Sequence, residues 1–179
     1  GQSRVPGKPV LNDIFFGSHF CRIMKSNELS LGLPDHGVKT KQGKAGPMVF
    51  DPFRRKWLAL TPEEWVRQHF LNHLVKDLGC PASLISVEHS LVLNSMAKRA
   101  DIVIHGDYGI PIAVVECKAP TVAISQATFE QAARYNLVFK VRYLFITNGL
   151  KSYCCVVDHE QGKVRFLDHL PNFRTLNDK

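Results

Sequence analysis

No apolar run in the chain approaches the roughly 18 to 20 residues that a membrane-spanning helix needs. The five cysteines, Cys21, Cys80, Cys117, Cys154 and Cys155, are odd in number and include no C-x-x-C pair. That usage points to free, mostly buried thiols in a reducing, cytoplasmic compartment rather than to a disulfide framework. No signal peptide, internal repeat or low-complexity segment is evident. The chain begins at Gly1 rather than Met, which suggests a cleaved tag or a trimmed chain. A nucleotide motor is also missing. Gly37 to Lys44 approximates a phosphate-binding loop but fails twice: five residues separate Gly37 from Gly43, and Ala45 stands where Ser or Thr is required.

At 179 residues the chain is one domain, or one domain with an arm. It carries 23 Lys and Arg against 16 Asp and Glu, a net charge of +7, with a pI of about 9.3. That balance fits a polyanionic partner without requiring one. Residues 1–49 are rich in Gly and Pro and read as an N-terminal arm. A short docked element is expected over residues 11–24, and Lys39, Lys41 and Lys44 sit on a basic loop. Residues 50–168 read as the folded domain and 169–179 as a C-terminal tail.

Thr61-Pro62-Glu63-Glu64 opens a helix with an N-cap Thr, Pro at N1 and Glu at N3. Val66, Phe70, Leu74 and Leu78 repeat at helical spacing, and Gly79 and Pro81 end the run. His69 and His73 have a zinc-compatible spacing, but no third soft ligand follows nearby, so ordinary helix histidines are the simpler reading. Residues 84–93 alternate as a strand, with Glu88 either lining a cleft or exposed.

The next two strands carry the chemistry. Asp101-Ile102-Val103-Ile104-His105 and Ile112-Ala113-Val114-Val115-Glu116 flank Gly106-Asp107-Tyr108-Gly109, a hairpin signal. Pairing Gly106 with Gly109 would set Asp101 opposite Val114, with Glu116 one diagonal step further. Asp101, Glu116 and Lys118 then share one face, while Ile102, Ile104, Ala113, Val115 and Cys117 face a core. Alone, E-x-K reads as a strand-end salt bridge. The upstream Asp and the shared face instead suit a divalent metal that prefers hard oxygen ligands. Lys118 would orient a water beside it. His105 shares the Asp101 face, but four residues of strand, roughly 13 Å, keep it from the same ion.

A helix follows over 125–139 with Ser125 as its cap. Gln131 and Tyr135 lie one turn apart on one face, and Arg134 and Lys140 are phosphate-contact candidates. Residues 141–147 read as a buried strand ended by Asn148-Gly149. A hairpin around Glu160-Gln161-Gly162 closes the domain. The result is a mixed central sheet flanked by helices.

Asp101, fourteen residues, then Glu116-Cys117-Lys118 resembles the PD-(D/E)XK nuclease motif. Residues 50–158 more closely resemble the N-terminal nuclease domain of type I restriction enzyme R subunits. Thr61 to Arg67, Arg99-Ala100-Asp101-Ile102-Val103-Ile104 and Val115 to Pro120 carry that likeness. So do Gln131-Ala132-Ala133-Arg134-Tyr135 and Phe145-Ile146-Thr147-Asn148-Gly149, in order. Ala100 departs from the Pro of the motif's name.

The resemblance implies a restriction-endonuclease-like α/β core and DNA cleavage with Mg²⁺, Mn²⁺ being an alternative. Asp101, Glu116 and the backbone carbonyl of Cys117 would hold the metal. Glu64 would join them from the first helix, a role that competes with capping, with Glu63 as its substitute. Gln131 and Tyr135 match the Q-x-x-x-Y element of RecB-type and type I nucleases and are expected to position DNA or active-site groups. The implied partners are DNA and the methyltransferase and specificity subunits of a restriction system. No membrane is expected, and a homodimer on DNA would supply two active sites. The alternative is a nucleic-acid-binding or assembly module that keeps the fold with little catalysis.

Overall fold

The apolar runs 102–104 and 112–115 pair as neighbouring strands, and the main sheet extends to either side of them. The computed structural model describes residues 30–93 and 96–178, side chains excepted at 90–98 and 134–139. The docked element expected over 11–24, Cys21 and the turn at 94–95 lie outside the described residues. All described residues after Ser30 belong to one compact unit, Leu31–Lys179.

Six strands form the main sheet in chain order: β4 (Ile85–Leu93), β5 (Met96–His105), β6 (Pro111–Cys117), β7 (Tyr143–Thr147), β8 (Ser152–Asp158) and β9 (Lys163–Phe166). Neighbours run antiparallel except β6 and β7, which are parallel. Such a pair needs a crossover, and helix α2 (Gln126–Phe139) supplies it. Helix α1 (Pro62–Lys76) precedes the sheet.

Each face of the sheet has its own core. Val66, Phe70 and Leu74 of α1 pack with Ile102, Ile104, Val115 and Phe145. Ala132 of α2 packs with Val103, Val114, Leu144 and Ile146. Burial on both faces explains why β6 and β7 read as nearly continuous apolar runs. The mixed sheet flanked by helices agrees with the sequence reading.

The hairpin register differs from the expectation. Ile102 opposes Val115 and Ile104 opposes Ala113, so paired numbers sum to 217 rather than 215. The connection is a 3₁₀ turn over Asp107–Gly109, with Tyr108 at φ 61° and Gly109 at φ 72°. A bulge between Ile104 and His105 absorbs the extra residue. A shift of two leaves the expected core-facing set, Ile102, Ile104, Ala113, Val115 and Cys117, on one side. The last paired residues are Ile102 and Val115, so Asp101 and Glu116 each lie directly beyond that end of the ladder.

Two segments expected to be loose are structured. β1 (Thr40–Gly43), β2 (Gly46–Asp51) and β3 (Lys56–Ala59) form an antiparallel three-stranded sheet. The boundary drawn at residue 49 therefore falls inside β2. Lys41 of the presumed basic loop lies 4.2 Å above the Trp57 ring, a cation–π contact. At the other end, α3 (Phe173–Asn177) buries Leu176 in the α1-side core. Its Asn177 accepts from the Asp107 N–H at 3.1 Å.

Candidate active site

Asp101 sits where its strand breaks step. In a regular strand, residues two apart share a face. Here Ala100 packs in the α2-side core and Ile102 in the α1-side core. Across the ladder, Glu88 has φ 51°, and the pairing passes from Val87–Ile102 to His89–Ala100 without it. The irregularity releases the Asp101 carboxylate from the alternating pattern. Its Oδ2 accepts from the Cys117 N–H and its Oδ1 from Arg67 Nη2, both at 2.7 Å.

Glu116 and Lys118 leave the end of β6 together, with Lys118 Nζ 2.7 Å from Glu116 Oε1. Burial, and then the nearby Asp101 charge, raise the Glu116 pKa above the ordinary carboxylate value, with Lys118 opposing. Burial works against the Lys118 ammonium, but Glu116, Asp101 and Glu63 outweigh it and hold its pKa above the usual lysine value. The Cys117 thiol turns into the α1-side core. Burial holds it well above the usual thiol value, and Asp101 adds to the effect.

The end of β6 is pinned by the next motif. Lys118 N donates to the Thr147 carbonyl at 2.8 Å, and Asn148 Nδ2 to the Val122 carbonyl at 2.9 Å. Gly149 has φ +80°, and a Cβ there would lie 2.6 Å from Leu31 Cδ2. Thr147-Asn148-Gly149 thus fixes both the strand end and the loop that follows Pro120.

Helix α1 delivers three charged residues. Thr61 Oγ1 caps it by accepting from Glu64 N at 3.1 Å. The Glu64 carboxylate does not reach back as a capping box would. Its Oε1 accepts from Arg54 Nη2 at 2.6 Å and Gln68 Nε2 at 2.9 Å, and its Oε2 from Arg67 Nη1. Glu63 is the α1 carboxylate whose charge acts on Glu116, Lys118 and Cys117. It lies 3.1 Å from Arg67 Nη2. Arg67 is 5% exposed and bridges Glu63, Glu64 and Asp101.

Arg54, on the β2–β3 turn, binds Asp51, Glu64 and Glu88. Burial opposes the Glu88 charge, but Arg54 and Arg99 more than offset it and lower its pKa. Sequence reasoning missed Arg54 and Asp51. The one local signal was Asp51-Pro52, a turn opening in which Asp51 Oδ1 accepts from Phe53 N and Arg54 N.

A profile of the family described as type I restriction enzyme R protein N terminus matches residues 62–171. The chain belongs to that family. The match begins at Pro62 of α1 and takes in Asp101, Glu116, Lys118, Gln131 and Tyr135. It leaves Asp51 and Arg54 outside. A solved structure described as a fragment of a type I restriction enzyme HsdR subunit from Vibrio vulnificus YJ016 aligns at 23% identity with a TM-score of 0.46. The alignment covers 64% of this chain and 24% of that one. No curated protein matches the sequence.

Other positions singled out in the sequence are less engaged with the cluster. Gln131 is exposed on α2, and among the described residues no hydrogen bond joins it to Asp101 or Glu116. Tyr135 and Arg134 belong to α2, but their side chains lie outside the described residues. His105 Nδ1 is 3.2 Å from the Leu84 carbonyl and its ring meets His89 edge to face. His73 and His36 both contact Asp77 Oδ2, at 2.7 and 2.8 Å. His69 packs against Trp65. Among the described residues no three His, Cys, Asp or Glu side chains form a group suited to a metal ion.

Proposed function

We propose that this chain is a Mg²⁺-dependent DNA endonuclease with a PD-(D/E)XK core. The observation that carries the proposal is the gathering of Asp101, Glu116 and Lys118 at the end of β6: Asp101 is bound to the Cys117 N–H, and Glu116 lies 2.7 Å from Lys118. The donor set fits a hard divalent cation. Two carboxylates converge, and their mutual repulsion contributes to the raised Glu116 pKa. A cation between them would relieve it. Each carboxylate oxygen has more than one lone-pair direction, so Asp101 keeps acceptor capacity beside Arg67 and the Cys117 N–H. Two carboxylates, the Cys117 carbonyl and waters suit Mg²⁺, which seldom uses more protein ligands. Glu63 is better placed than Glu64 to act as the α1 carboxylate, since two arginines and Gln68 occupy Glu64.

A bound divalent cation supplies an activated water and charge stabilisation on the phosphate. The chain's own groups do the rest. Asp101 and Glu116 bind and orient. Arg67 and the Cys117 N–H fix the Asp101 carboxylate plane. The raised pKa of Lys118 keeps it protonated at neutral pH, so it donates hydrogen bonds to a water or phosphate oxygen and does not serve as the base.

Gln131 and Tyr135 would position DNA from α2. Partners would be DNA and the methyltransferase and specificity subunits, and a homodimer would place two such sites on a duplex. A cytoplasmic location is consistent with four free, buried cysteines among the described residues. The test is plasmid nicking with Mg²⁺ and with EDTA. The proposal expects nicking with Mg²⁺ alone. A folded protein that binds plasmid but never nicks it would instead be an assembly module.

A further inference from the structure

Arg54 lies outside the matched stretch, yet it is joined to Asp101 by an unbroken line of charged contacts. Its Nη2 donates to Glu64 Oε1 and its Nη1 to Glu88 Oε2, each at 2.6 Å. Its Nε pairs with Asp51 Oδ2. The other Glu64 oxygen takes Arg67 Nη1, and Arg67 Nη2 reaches Asp101 Oδ1 at 2.7 Å. The line is anchored at both ends by backbone. Asp51, fully buried, is held by the Phe53 and Arg54 N–H groups. Asp101 Oδ2 is held by the Cys117 N–H.

We propose that Arg54 is a positioning residue for Asp101, acting through Glu64 and Arg67, and that the β2–β3 hairpin is a working part of the active site. This rests on the reading of Asp101 as a metal-binding carboxylate. Arg67 needs such a brace because, among the described residues, its Nε has no hydrogen-bond partner. Of its supports other than Asp101, Glu63 is 46% exposed and lies 3.1 Å away, while Glu64 is 9% exposed. Glu64 therefore sets the Arg67 fork, and Arg54 sets Glu64. Water is largely excluded from the line, and charge-assisted bonds in such surroundings resist displacement. A lysine at 54 would keep the charge, but one ammonium on a flexible stem cannot reproduce the planar fork.

The test is a double-mutant cycle of Arg54→Lys and Arg67→Lys with the net charge unchanged. Mg²⁺ affinity is read by calorimetry, alongside kcat, KM for DNA and the thermal midpoint. Each single variant is expected to change metal affinity and kcat by roughly fivefold, with KM unaltered. The double variant should be no worse than the worse single one, as for residues in one network. An Arg54→Lys protein equal to the parent in metal affinity and kcat would overturn the proposal. So would singles whose effects multiply in the double. If Arg54→Lys fails to fold, the isosteric Asp51→Asn carries the same two outcomes, because it loosens the anchor of Arg54. Asp101→Asn runs in parallel. Undiminished metal binding and cleavage in that variant would defeat the site itself; their loss alongside a silent Arg54→Lys would defeat the brace alone.

Discussion

Glu64→Ala separates two roles for one side chain. As a cap only, its loss would cost about 1 kcal/mol or less, the usual worth of a capping interaction. The structure predicts more. The Glu64 side chain is 9% exposed and accepts from two guanidinium groups and the Gln68 amide. Removing one member of a buried ion pair costs about 3–5 kcal/mol, mainly through the charges left unpaired. Here Arg54 keeps Asp51 and Glu88, and Arg67 keeps Glu63 and Asp101. The cost therefore falls near the lower figure, about 3 kcal/mol. For a chain of this size each kcal/mol moves the midpoint by about 2–4 °C. Thermal unfolding followed by circular dichroism should show Tm lowered by about 6–12 °C. Thr61→Ala, which removes only the cap, should lower it by about 2–4 °C. A Glu64→Ala protein within 2 °C of the parent would refute the ion-pair reasoning.

Glu116→Gln should abolish cleavage yet raise Tm in metal-free buffer at pH 8. Burial and Asp101 raise the Glu116 pKa. Native-state stability is thus lost as pH rises from the unfolded to the folded pKa, and a neutral side chain avoids that loss; an unchanged or lower Tm would count against it. By the same linkage, Mg²⁺ affinity measured by calorimetry should rise with pH through that interval and flatten above it. Binding to random duplexes should weaken steeply between two salt concentrations, as phosphate contacts require, and a flat response would remove them. Mn²⁺ should support cleavage, while Ca²⁺ should support DNA binding with poor turnover, because it accepts looser geometry at oxygen ligands. Zinc-dependent activity lost on His105→Ala would contradict this.

What was legible in the sequence was local. Thr61-Pro62 marked the start of α1, and the apolar alternation identified Ile102, Ile104, Ala113, Val115 and Cys117 as one core-facing set. The hairpin register was missed by two because Tyr108 adopts φ 61°, a conformation its residue type does not announce. The face assignment survived because the error was even. The N-terminal sheet was missed because β1 is four residues long and mostly exposed, without the period of a half-buried strand. Arg54 could not be tied to Glu64 by spacing, since ten positions separate them across a turn. Glu64 met the capping-box spacing, yet two arginines outcompeted its own N-terminus for the carboxylate. The motif residues Asn148 and Gly149 had a legible turn chemistry, but their hold on the loop after Pro120 depends on the parallel pairing of β6 and β7.

The central claim is that Asp101 and Glu116 form a metal-dependent cleavage site on DNA. The rate of supercoiled plasmid nicking in Mg²⁺, compared between the parent and Asp101→Asn of matched circular dichroism, tests it most directly. The account predicts nicking by the parent that EDTA stops, and none above background by Asp101→Asn. Equal rates from the two proteins would contradict it.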